Sequence, residues 1–257
     1  MNITKMNNRV NFTKLLKERK LLTIVLPEFL EESLDILKHI KTFDEKFERI
    51  VIFSPQRAVS LFSKIVMKSK YNVLGFNQIG RIEKDNIILD FSTKLKIKGF
   101  TSSIVIGKNS NLKFVDFKKN RILENIIILF NIKSLKTTPF KELFNDITLE
   151  NSFLSNGKKN IVFDISCWRW GAEKIIKKYS KEYNLYFVKI ILGFGEKYKK
   201  FILQTGDILD LFNFCRASDF FITDKKETNL FLSKIGLKNY YFKELKKDGK
   251  EIFKKAI

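Results

Sequence analysis

The chain is poor in the residues that staple a fold or ligate a metal. It has two cysteines, Cys167 and Cys215, and a single histidine, His39. Two cysteines make no disulfide framework, and one histidine beside them makes no plausible zinc site. A reducing cytoplasm fits this usage. Proline is scarce, with 3 residues, and glycine is limited to 11. Long apolar runs are missing as well. The longest, near ENIIILFNI at 124–132, is far too short to span a bilayer. Met1 to Lys20 is polar and basic and lacks the apolar centre of a signal peptide. No repeat of solenoid period is visible, nor any recognisable motif for reading nucleic acid.

What is present is apolar substance and positive charge. Apolar residues make up 44% of 257, enough for a full core in one large or two smaller domains. The net charge of +21 favours anionic partners: phosphorylated small molecules, anionic lipid surfaces or nucleic acid. The bias to Lys, Ile, Phe and Asn has the look of codon drift in an AT-rich genome, which inflates Lys without reference to function.

Strand-like and helix-like segments alternate from end to end. LLTIVL (21–26), RIVIFS (49–54), NVLGF (72–76), NIILDF (86–91) and SSIVIG (102–107) read as strands. LEESLDILKHIKTF (30–43) reads as a helix with Leu34, Leu37 and Ile40 on one face, and QRAVSLFSKIVMK (56–68) as a second. ENIIILFNI is most simply a helix, although its β-branched content leaves a strand open. The stretch 134–159 loses this periodicity and reads as a linker with one short helix at 139–145. The alternation then restarts. NIVFDIS (160–166), LYFVKIIL (185–192), 219–223 and NYYF (239–242) read as strands, and 171–183, 207–217 and 227–236 as helices. The expected fold class is α/β, with two Rossmann-like domains facing a cleft. The expected organisation is a basic N-terminal segment at 1–20, a first domain at 21–133, the linker at 134–159, and a second domain at 160–257.

Several positions carry candidate chemistry. SCWRWGAE (166–173) lies between a strand and a helix N-terminus, where unpaired N–H groups favour an anion. Arg169 adds a fork suited to phosphate, flanked by Trp168 and Trp170, the only tryptophans. The plainer reading is a packed Trp and a solvated Arg. Gly193 and Gly195, in LGFGE (192–196), allow close backbone approach or a plain turn. Val10, Phe12, Leu15 and Leu16 alternate with Lys14, Lys17, Arg19 and Lys20, a pattern that suits either an anionic membrane surface or a solvated arm. His39 sits mid-helix with no discernible partner, structural or exposed.

Arg169-Trp170-Gly171, Gly193-Phe194-Gly195-Glu196 and DILDLFNFCRASD (207–219) follow one another in an order that resembles the donor-binding half of glycosyltransferase family 9, the heptosyltransferase-like enzymes. LTIVLPEFLEESLDILKHI, FERIVIFSPQRAVSLF and DNIILDF are similar to that family's first half. The resemblance covers roughly 21–242 and implies the two-domain GT-B arrangement. It implies an acceptor-side first domain and a donor-side second, with Arg169, Trp170, Gly193, Gly195, Glu196 and Asp224 around the donor. The implied activity is sugar transfer from a nucleotide-sugar to a lipopolysaccharide-type or lipid-linked glycan. The implied partners are the donor, an anionic lipid or phosphorylated glycan acceptor, and a peripheral contact with the inner membrane face. No cofactor or metal is implied. Two departures stand out. The family's Gly-Asp, whose Asp is the proposed base, is matched by Glu31-Glu32, so Glu32 stands at the base position; its plainer reading is an acidic first helical turn. The family's glycine and histidine after the late strand are replaced in Asp224-Lys225-Lys226-Glu227-Thr228-Asn229. These losses leave two readings: an active transferase, or a catalytically degenerate relative that binds a ligand or partner.

Overall fold

The computed structural model describes residues 20–67, 69–83, 86–93, 95, 104–107, 130, 134–145, 147, 153, 156–165, 169–188, 200–203, 205 and 207–241. They form two compact units, Met1–Asn145 and Asp146–Ile257.

The first unit is built on five short strands, β1 (Leu21–Val25), β2 (Arg49–Ser54), β3 (Tyr71–Gly75), β4 (Ile87–Asp90) and β5 (Ile104–Gly107). All four pairings are parallel, and the order is β3-β2-β1-β4-β5. Buried parallel strands read as continuous apolar runs. β1 is buried from Leu22 onward, β2 from Ile50 onward, and β4 throughout. One face carries a cluster of Val25, Val51, Phe53, Ile82, Ile88 and Val105. Gly107 has φ +138°, and a Cβ there would lie 2.0 Å from the Asp90 carbonyl oxygen. Only glycine lets the end of β5 close on the end of β4 in this way.

The connections are less regular than the sequence pattern suggests. Helix α1 (Leu30–Leu37) buries Leu30, Leu34 and Leu37 at helical spacing. It does not continue to 43 as expected: the chain breaks at Lys38–His39 and resumes as a 3-10 turn, Ile40–Phe43. The break serves tertiary bonds. Thr138 N–H donates to the Lys38 carbonyl (2.8 Å), and Lys136 N–H donates to Thr42 Oγ1 (2.9 Å). The second expected helix starts as a 3-10 turn at Gln56–Ala58 behind Pro55 and becomes α2 (Val59–Ile65). It stops as its apolar stripe runs out at Met67, which is exposed. The crossover from β3 to β4 is a 3-10 run, Phe76–Arg81. The stretch expected as a linker begins on the first unit: Thr138, Leu143 and Phe144 are buried there, around the short helix α3 (Phe140–Leu143). Of the run 124–132, only Phe130 is described. It is buried and meets Phe43 and Phe47 edge-on.

The second unit repeats the scheme with β6 (Asn160–Asp164), β7 (Asn184–Val188), β8 (Ile202–Leu203), β9 (Phe220–Thr223) and β10 (Tyr240–Tyr241). Its order is β10-β9-β6-β7-β8, again all parallel. Read from the other edge, each strand number is that of the first sheet raised by five. Helices α4 (Arg169–Tyr179), α5 (Ile208–Ala217) and α6 (Lys226–Lys234) connect the strands. Ile161, Phe163, Ile165, Ala172, Ile175, Ile176, Leu185, Phe187 and Ile222 form the core, with the Phe163 and Phe187 rings stacked at 4.8 Å. The two-residue β8 falls where no strand was expected.

Candidate functional site

In an open parallel sheet of this order, the connections leave the central strand toward opposite sides. The crevice so formed lies beyond the carboxyl ends of the strands at that switch point. In the first unit the switch point lies between β1 and β4, and in the second between β6 and β9. Each has a strand that ends in a fully buried aspartate: Asp90 on β4, in register with Val25, and Asp164 on β6, in register with Thr223.

A buried carboxylate is costly unless it is hydrogen-bonded or paired, and the two units meet that demand differently. In the first, Asp90 Oδ1 accepts from Ser92 N–H (3.1 Å) and Ser92 Oγ (2.6 Å). Beside it, the Glu28 carboxylate accepts from Thr93 N–H (3.0 and 3.1 Å), from Thr93 Oγ1 (2.7 Å) and from Leu95 N–H (3.3 Å). Among the described residues after β4, the donors of Ser92, Thr93 and Leu95 are thus engaged by the chain's own carboxylates. In the second unit, Asp164 Oδ2 accepts from Thr223 Oγ1 (3.2 Å), and Oδ1 is ion-paired with the Lys225 ammonium. Thr223 Oγ1 also accepts from Lys225 N–H (3.1 Å), so one carboxylate fixes the whole turn 223–225. The Asp164 side chain has no exposure, whereas that of Lys225 is 41% exposed. Helix α6 starts at the next residue without a side-chain cap, and α4 starts five residues after Asp164. Both helix N-termini therefore lie at this carboxyl edge, with the positive ends of their dipoles.

The backbone of Arg169 and Trp170 opens α4, while their side chains lie outside what the structure describes. Gly193, Gly195 and Glu196 lie outside the described residues, as do Lys14, Lys17 and Arg19. Asp224 is half-buried in the turn beside Lys225, and its N–H donates to the Asp164 carbonyl (3.4 Å). Glu32 is exposed in the first turn of α1, in the first unit. Lys20 is described; its exposed ammonium is paired with Glu48. His39 is not mid-helix but in the break after α1. It is buried, with Nδ1 3.1 Å from Thr137 Oγ1, and burial together with Lys38 draws its pKa below 6.5. Burial pushes the Cys215 thiol up to about 12, which removes it as a thiolate nucleophile. Among the described residues no group of three or more His, Cys, Asp or Glu could hold a metal ion. Among the same residues no helix is long and apolar enough to cross a membrane.

Sequence reasoning did not single out Glu28 or Asp164, and met Lys225 only within the replaced motif after the late strand. The available signal was a strand of apolar residues ending in aspartate, NIVFD in the second unit and NIILD in the first. Fold and site together define a protein of two Rossmann-ordered α/β units, each with a buried aspartate at the end of a central strand, held by Ser92 in the first and by Thr223 and Lys225 in the second.

No protein-family model matches the chain, and no curated protein matches its sequence. Among solved structures it is similar to the iron-containing dodecameric glycosyltransferase TibC of enterotoxigenic E. coli, with TM-score 0.42, 12% identity and 87% of this chain covered. The chain spans 58% of that protein's length. It is also similar to E. coli heptosyltransferase WaaC with ADP-2-deoxy-2-fluoro heptose, with TM-score 0.41, 7% identity, and 85% and 87% of the two chains covered. E. coli ADP-heptose LPS heptosyltransferase II gives TM-score 0.43 and 8% identity over 85% and 83%.

Proposed function

We propose that the chain is a nucleotide-sugar-dependent glycosyltransferase, with the donor diphosphate held at the carboxyl edge of the second unit. The supporting observation is the contrast between the two edges. In the first unit Glu28 and Asp90 already engage the donors of Ser92 and Thr93. In the second, the partly exposed Lys225 ammonium, paired with Asp164, and two helix N-termini offer N–H donors where an anion would sit. In this reading the Glu32 carboxylate takes the proton of an acceptor hydroxyl. The acceptor oxygen then bonds to the anomeric carbon as the bond from that carbon to the diphosphate breaks, and positive charge at the second unit stabilises the departing diphosphate. The acceptor is a lipopolysaccharide-type or lipid-linked glycan at an anionic membrane surface.

A second reading, a catalytically degenerate relative that binds ligand or partner, is favoured by one observation. The turn after β9 is pinned by a lysine–aspartate pair, in place of the glycine and histidine of the resembling family. Isothermal titration with ADP and UDP, followed by a transfer assay, separates the two. Arg169→Ala is expected to weaken nucleotide binding by about tenfold or more, the worth of one charge-assisted hydrogen bond. Glu32→Gln is expected to keep binding and lose turnover. Nucleotide binding without turnover in the wild type selects the degenerate reading, and no nucleotide binding rejects both donor assignments.

A further inference from the structure

We infer that Lys225, in addition to Arg169, contacts the diphosphate of a bound nucleotide, and that buried Asp164 positions it. The inference rests on the donor-site reading above and names the group that does the recognising. An ammonium has three N–H donors and no acceptor. In Lys225 one donor is committed to Asp164 Oδ1, and the side chain remains 41% exposed beyond the carboxyl ends of β6 and β9. The remaining donors are left for a ligand in the crevice at this switch point. Lysine ordinarily binds phosphate as a compact, mobile point charge on a flexible stem. Here the stem is tied at both ends: the backbone N–H to Thr223 Oγ1, and the ammonium to a carboxylate that is itself held by Thr223. A cation ordered before the ligand arrives loses less conformational freedom on binding. Asp164 contributes through Lys225, since the carboxylate itself is fully buried.

The obvious substitution, Lys225→Ala, strands a buried carboxylate and risks unfolding the unit. The test therefore compares two variants in which that carboxylate is gone. Asp164→Asn keeps the Thr223 bond through its amide oxygen and retains Lys225 without its pairing carboxylate. Asp164→Asn/Lys225→Ala differs from it by the lysine alone. Thermal melts establish that both fold, and titration with ADP and with UDP at low and moderate salt gives the affinities. Asp164→Asn is expected to bind, with a steeper loss of affinity on adding salt than the double variant shows. The double variant is expected to bind about tenfold more weakly or worse. Affinities of the two variants within twofold of each other, with the wild type binding normally, overturn the assignment of Lys225 and leave the donor site standing. Absence of binding in the wild type overturns both.

Discussion

His39 shows at the scale of one residue what a sequence pattern conceals. As the only histidine, within a run of helical spacing, it reads as a mid-helix residue, structural or exposed. In the fold it is buried against Thr137, 98 positions away in sequence. Burial disfavours the imidazolium and Lys38 adds to that, so the folded pKa lies below 6.5. The sign follows directly. As pH falls through 6.5 the unfolded chain takes up a proton that the folded chain resists, so this residue's contribution is intact above 6.5 and is lost on acidification. The wild type is expected to lose more stability than His39→Asn between about pH 7.5 and 5.5, as read from urea unfolding midpoints. Parallel pH profiles would reject the assignment. The same distance effect hid the site. Arg169 and Trp170 drew notice because tryptophan is rare and arginine suits phosphate, both local properties. Asp164 and Lys225 are 61 positions apart, and their pairing exists only because β6 and β9 lie side by side.

At the scale of elements, much was legible where the signal is local. The acidic start of DILDLFNFCRA predicted a helix from 207, and α5 carries a capping box there. The Asp207 carboxylate accepts from Leu209 N–H (2.8 Å) and Asp210 N–H (3.4 Å), while Asp210 Oδ2 accepts from Asp207 N–H (3.3 Å). Asp207→Ala is expected to cost the second unit about 1 kcal/mol, lowering its urea midpoint without changing the slope. An unchanged midpoint would show that solvent satisfies those amides equally well. Strands β1, β2, β4, β6 and β9 were visible as short apolar runs because strands buried on both faces must be apolar throughout. What escaped was set by contacts rather than propensity. The break in 30–43 answers to Thr138 and Lys136, which no window around residue 38 contains. β8, Ile202–Leu203, lies outside every run read as a strand. Strand order was not read at all, yet it decides which loops share a switch point.

At the scale of the whole molecule, the alternation and its restart after 159 were enough to expect two α/β units, and the sheets show one order twice over. The charge is harder to interpret, because a net +21 would draw a protein to any anionic surface. A specific membrane segment must therefore do more than its share. Residues 1–19 hold five basic residues against one acid, Glu18, a net +4 within the +21 of the chain. Each basic side chain held near an anionic leaflet contributes about 1 kcal/mol, and the attraction fades over a Debye length of about 10 Å at 0.1 M salt. A deletion meant to test the segment should stop at residue 19. The Lys20 carbonyl accepts from Glu48 and Arg49 N–H at the start of β1 and β2, and its ammonium is paired with Glu48. We expect removal of 1–19, which takes Lys14, Lys17 and Arg19 together with Val10, Phe12, Leu15 and Leu16, to reduce co-sedimentation with phosphatidylserine-containing vesicles. The reduction should be largest at low salt and absent with neutral vesicles. If the diffuse charge of the whole surface were responsible, the truncated chain would keep most of its positive charge and sediment almost as before, and the N-terminal segment would lose its assigned role.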